Sequence, residues 1–463
     1  MTHLRTQLAV GLLGAIGCGG GAGPVAAPAA PPIATAPVPA PDPCASVGHW
    51  EEVAPLPLPG RVDHTAVWTG REMVMWGGTE GVSSPKQDGA RYDPATDTWV
   101  ATQLRTSPGP RDDHAAVWTG REMIVWGGNS YNEDDFKLAD GGRYDPELNR
   151  WRGLAPATLT PRDDPRAVWT GREVIVWGGR DERGHAGDGA RYDPERDRWT
   201  PMAAMGAPAA REDHAAIWTG REMIVWGGWN GDDRARNYAL DGARYDPATD
   251  RWRPISSVGA PPLREDHAAI WTGREMIVWG GVVREGKAGE RRQLASGGRY
   301  DPATDTWSAL TMDGAPTPRE DGVVVWSGRA MLVWGGQRDE TPVATGARYL
   351  PAIDRWCPLP DDGAPAARRD HAGVWAGDAL VVWGGRDADG AYTPTGAVWV
   401  ADGTRRHSRP ASARVGEVAL AEESGAVVSA RTVDGGAEAR RAGSRSQAPA
   451  AHAHNAAVKP TRR

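Results

Sequence analysis

The stretch REDHAAIWTGREMIVWGG, Arg211 to Gly228, completed by GARYDPATDRW, Gly242 to Trp252, decides the fold. Four short runs stand out in it, HAAIW, EMIVW, GARY and DRW, rich in Ile, Val, Trp and Tyr and broken at TG, GG and DP. Apolar runs of this length, β-branched or aromatic and punctuated by turn residues, read as strands. The unit is a four-stranded antiparallel meander.

The unit recurs along the chain. Trp-Gly-Gly ends at Gly78, Gly128, Gly179, Gly228, Gly281, Gly336 and Gly385, a period of 49 to 55 residues. One such sheet cannot bury its two faces, but seven arranged radially bury them against each other. Composition agrees: 60 Gly, 38 Pro and 23 Trp against a single Phe disfavour helices, in which Gly and Pro cost about 1 and 3 kcal/mol. The net charge of -7 gives no general attraction to nucleic acid, and no apolar stretch is long enough to span a bilayer.

An apolar strand, a Gly-Gly doublet, then a Tyr and a Trp at a constant interval resemble the kelch repeat. Six pairs keep that interval, from Tyr92/Trp99 through Tyr144/Trp151, Tyr192/Trp199, Tyr245/Trp252 and Tyr300/Trp307 to Tyr349/Trp356. The resemblance covers about residues 50–403 and implies an all-β, seven-bladed kelch-type β-propeller. In blade seven Trp399 stands at the Tyr position and no outer strand follows. Trp50, spaced from Arg61 as the other outer-strand Trp are from the next unit's Arg, supplies it, so an N-terminal strand completes the last blade. The twenty-one repeating Trp are expected in the core.

The chain divides into a signal peptide (1–17), a Gly/Pro/Ala-rich tether (18–43), the propeller (44–403) and a basic tail (404–463) with 11 Lys/Arg against five Asp/Glu, read as disordered. Residues 8–16 form an apolar signal-type run, and Ala15-Ile16-Gly17-Cys18 resembles a bacterial lipobox. That resemblance implies an exported protein lipidated at Cys18, held in the periplasm or at the cell surface and touching membrane through this anchor only. Cys44 and Cys357 fall in neighbouring blades, and a disulfide between them would add about 4 to 5 kcal/mol by the loop-entropy model.

TGRE and DPATD turns recur almost unchanged on one face, whereas the loops between second and third strands, on the other, vary in length and content. Five aromatics fall outside the repeat, Tyr131, Phe136, Trp229, Tyr238 and Tyr392, and all lie in those variable loops. They are candidate ligand contacts. An Arg-x-Asp precedes every first strand, read as a ring of paired charges at the channel mouth that either fixes the blade crossings or binds a polar ligand or cation. His follows in five units, but Pro165 and Gly322 replace it in blades three and six. A pocket departing from sevenfold symmetry is expected there, with Arg162, Asp164, Arg319 and Asp321 as candidate ligand groups.

No catalytic constellation, metal site or cofactor signature is present. The reading is a non-catalytic scaffold binding a protein or carbohydrate partner through the variable-loop face. The alternative is a periplasmic or cell-surface carbohydrate-active enzyme, epimerase- or oxidase-like, using the channel mouth.

Overall fold

A computed structural model of the chain describes residues 42–45, 48–81, 84–131, 136–230, 242–285 and 290–401. Cys18, Tyr238, the tether before residue 42 and the tail lie outside them. Seven four-stranded antiparallel sheets are arranged in a ring. Blade one runs Thr65–Trp68, Met73–Trp76, Gly89–Asp93 and Thr98–Ala101 from the axis outward. The outermost strand of blade seven is His49–Glu52, which pairs antiparallel with Gly396–Val400 and sets Trp50 opposite Trp399. Its indole N–H donates to the Pro360 carbonyl at 2.9 Å, and its ring stands 5.2 Å from Trp334 of blade six.

The second strand shows why the sequence makes a propeller. Met73, Val74, Met75 and Trp76 are all fully buried, which suits a strand sandwiched on both sides. Alternate side chains point to opposite faces, so Met73 and Met75 pack toward blade seven while Val74 and Trp76 pack toward blade two. Each indole buried this way removes 150 to 250 Å² from water, about 4 to 6 kcal/mol at most.

Neighbouring blades are also clamped by polar contacts. Asp250 Oδ1 accepts from the Tyr245 hydroxyl of its own blade at 2.6 Å and from the Ala203 N–H of the preceding connection at 3.0 Å. The Trp252 indole N–H donates to the Ala203 carbonyl at 2.9 Å. Third-strand arginines cross the other way: Arg244 pairs with Glu222 of its own TGRE turn and donates to the Pro302 carbonyl of the next blade. These bonds account for the uniformity of the TGRE and DPATD turns.

The first-strand Trp depart from expectation. Trp68, Trp118, Trp169, Trp218, Trp271, Trp326 and Trp375 are half-buried. They end the innermost strands, where no further sheet covers them. Six of them border an apolar cavity of about 500 Å³ at the TGRE end of the channel.

Candidate functional site

At the opposite end, each blade enters through its Arg-x-Asp. The seven arginines are buried inside their own blades: each Nη1 donates to the carbonyl of the first Gly of the doublet at 2.8 to 3.3 Å. Arg61, Arg111 and Arg162 form ion pairs with Asp88, Asp140 and Asp188 at 2.7 to 2.9 Å. In blades five to seven Ser296, Thr345 and Thr395 take the acid's place. The expected pairing with the Asp two positions on is therefore corrected. Arg162 and Arg319, 0% and 2% exposed, lock the blade interior, and of the two only Arg319 also borders a cavity between blades three and six. The reason is conformational: all seven of these Asp have φ between 48° and 57°, the left-handed region that Asp and Asn tolerate.

The histidines are wedges between blades. His371 lies edge-on to Trp334 of the preceding blade at 5.2 Å. A Cβ on Gly335 would stand 2.5 Å from its Cε1, and Gly335 has φ +68°, so the first doublet position takes Gly on both counts. Burial, then nearby Arg368, pushes the His371 imidazole down to about 3; His64 and His267 are likewise depressed to about 3.

With the arginines withdrawn, carboxylates are left around the channel mouth. Asp63, Asp113, Asp164, Asp213, Asp266, Asp321 and Asp370 form an inner ring, joined in three places by the N–H of one donating to the carbonyl of the previous one. Six are half-buried and Asp63 is exposed, so solvent reaches them. Outside them lie the middle residues of Arg-x-Asp, Asp112, Asp163, Glu212, Glu265 and Glu320 among them, whose backbones bridge to the start of the variable loops. Loop side chains serve this outer set: Lys137 pairs with Asp163, Arg284 with Glu265 at 2.9 Å and Arg291 with Glu320, and the His185 imidazole lies 3.8 Å from Glu212.

The inner ring is far less compensated. Asp63, Asp164 and Asp213 make no side-chain hydrogen bond or ion pair among the described residues, and Asp113 and Asp321 receive only the Asn129 and Gln337 amides. Arg291 and Arg369 reach Asp266 and Asp370 at 3.4 and 3.3 Å. Burial, then the neighbouring carboxylates, holds Asp113, Asp164 and Asp266 well above the ordinary range and pushes Asp321 up to about 7. Like charges at close quarters resist simultaneous ionisation.

Symmetry breaks at blade six, where Gly322 replaces the histidine. A cavity of about 420 Å³ opens between blades three and six, bordered by Arg166, Asp213, His214, Asp266, Glu320, Asp321 and Gly322, whereas Arg162, Asp164 and Pro165 of blade three do not border it. Gly322 leaves room where other blades carry an imidazole. Arg166, at the position of a first-strand Ala in neighbouring repeats, donates from Nε to the His214 carbonyl at 3.1 Å. Asp321 thus stands at the site. Sequence reasoning passed over Arg166, although its departure from HAAIW was a visible signal, and over the outer acids, visible as Asp or Glu in five of the seven middle positions.

Four of the five loop aromatics are described, and they pack against loop neighbours on this face. Trp229 lies under the Arg284 guanidinium at 4.2 Å, with His185 edge-on at 5.3 Å. Tyr131 meets Phe136 at 4.9 Å, and Phe136 stays 51% exposed. Tyr392 sits beside Arg386 at 5.7 Å. Three variable loops also form short two-stranded hairpins, at Arg180–Asp181/Gly184–His185, Val282–Glu285/Glu290–Gln293 and Gln337–Arg338/Thr341–Pro342. Cys44 and Cys357 are joined as a disulfide with Cα atoms 5.2 Å apart.

A ring of seven sheets with buried lead-in arginines and one variable, acidic face defines a propeller scaffold. Compared with protein-family models, the chain matches the KLHDC2/KLHL20/DRC7 Kelch-repeats domain over residues 48–228 and 165–385, and it belongs to this kelch-repeat family. No curated protein matches it.

Proposed function

We propose that this protein is an exported, lipid-anchored binding scaffold that recognises a macromolecular partner through its variable-loop face and performs no chemistry. One observation carries the reading: variation in loop length, loop aromatics and the inner-ring carboxylates all fall on one face, while the opposite turns are uniform and bonded within the fold. Loops displayed on a rigid scaffold are where recognition residues concentrate. The disulfide supports export, because such bonds persist in oxidising compartments. The test is capture by the full chain compared with a Phe136→Ala, Trp229→Ala variant. Loss of capture at an unchanged melting temperature is expected. Undiminished capture would overturn the assignment of the face.

A further inference from the structure

The channel end bordered by first-strand Trp is lined without charge. Only Ala, Val, Gly and Trp side chains, from every blade but the fifth, surround its cavity of about 500 Å³. The indole N–H groups of Trp68, Trp118, Trp169, Trp218 and Trp326 donate to no protein group among the described residues, whereas that of Trp375 donates to the Gly377 carbonyl at 2.9 Å. The arginines of the first-to-second turns stand around this mouth, and most are directed at third-strand acids. Arg71 and Arg274 reach Asp93 and Asp301 at 3.1 and 3.3 Å, and Arg121 and Arg221 stand 4.0 Å from Asp145 and Asp246. Two lack that partner. In blade three Arg196 takes Asp193 at 2.6 Å, and in blade six Leu350 replaces the acid. Arg172 and Arg329 are therefore exposed and make no side-chain hydrogen bond or ion pair among the described residues. They follow Trp169 and Trp326, which both border the cavity, and lie on nearly opposite sides of the ring. The turn glutamates are held by third-strand arginines, which leaves Asp378 of blade seven as the one unpaired acid in these turns.

We propose that this cavity binds the hydrocarbon chain of a free fatty acid, whose carboxylate meets Arg172 or Arg329 at the rim. Three features select this chemistry. An apolar lining rewards hydrocarbon, each buried CH2 strengthening binding about fourfold. A sugar needs polar groups around its hydroxyls, and among its side chains this lining offers none but the indole N–H. A quaternary ammonium suits aromatic faces but meets two unpaired guanidiniums of its own sign. A carboxylate is complementary to those guanidiniums and accepts from indole N–H as well. An apolar floor with a few polar groups that fix orientation is the usual make-up of a small-molecule site. This site lies on the face opposite the variable loops, so it stands or falls independently of the partner they recognise.

The probe is decanoate, kept below its micellar concentration and titrated calorimetrically into the full chain beside octanoate, decanol and decyltrimethylammonium. Decanoate should bind, and octanoate, two CH2 groups shorter, should bind about fifteenfold more weakly. Decanol and the ammonium should both bind more weakly than decanoate. The variant Arg172→Gln with Arg329→Gln removes only exposed, unpaired guanidiniums, so its melting temperature should match wild type. It should bind decanoate about threefold more weakly and lose the preference for decanoate over decanol. Position is read with ω-bromodecanoate, whose bromine quenches adjacent indoles: saturation should quench part of the Trp fluorescence, because the chain would lie among the first-strand Trp. No binding of decanoate, equal binding of octanoate, decanol or the ammonium binding as tightly, unchanged affinity in the arginine variant, or no quenching each overturns the proposal.

Discussion

Lowering the pH should weaken the fold through its buried imidazoles, and His371 isolates the effect. The ring is 7% exposed, wedged edge-on against Trp334, and its protonation is pushed down to about 3 by burial first, then by Arg368 and His64, against a partial opposing pull from the Trp334 carbonyl. A folded value below the ordinary 6.5 means that the contribution to stability is fully present above about pH 6.5 and is lost as pH falls toward 3. At about pH 5 the unfolded chain has taken up a proton that the folded chain refuses, which costs 1.5 units at 1.36 kcal/mol each, about 2 kcal/mol. His371→Phe keeps a planar ring against Trp334 and removes the titration. Its packing cost is the same at every pH and drops out of the comparison. The inner-ring carboxylates act in the opposite sense: Asp321, raised to about 7, favours the folded state as pH falls through that value. Both proteins carry them, so they cancel too. Urea unfolding followed by Trp fluorescence at about pH 7.5 and pH 5 should show wild type losing about 2 kcal/mol relative to the variant. A stability difference that does not move between the two pH values refutes the reasoning.

Two further outcomes follow from the closure and the lead-in arginines. Trp50→Ala removes a buried indole and its bond to the Pro360 carbonyl, which should cost about 3 to 5 kcal/mol and, by loosening the closing strand, give oligomers on gel filtration; a monomer of unchanged stability counts against closure by this strand. Arg162→Met leaves the Gly178 and Asp188 carbonyls without their buried donor and should cost about 3 kcal/mol in the same urea assay, whereas a neutral outcome would return Arg162 to the candidate ligand groups.

The repeat was legible because each blade restates the same physical constraints: a fully apolar second strand needs two covering sheets, and Gly-Gly needs positive φ. The spacing of Trp50 from Arg61, which matches that of the other outer-strand Trp, was enough to point to the last blade, where Trp399 lacked an outer neighbour. Side-chain partnership was less legible. Arg and Asp two positions apart look like a pair, yet a left-handed residue sends one into the blade and leaves the other at the mouth, an outcome that depends on φ and not on spacing. The first-strand Trp misled for a related reason. Their repetition matches that of the buried Trp76 and Trp151, but exposure is set by position along the radius, and the innermost strand has no further sheet on its channel side. Arg166 was missed because a single departure within a repeat carries no pattern of its own.

The disulfide determines how the propeller bears load. Cys44 precedes the closing strand His49–Glu52, and Cys357 belongs to the outer strand Arg355–Pro358 of blade six. Tension applied to the chain ahead of Cys44 passes through the sulfur bridge into blade six and never peels Trp50 from Trp399. A strand held by four backbone pairings would otherwise be the first to unzip under a pull from that end; the covalent bypass leaves it slack and the ring shut.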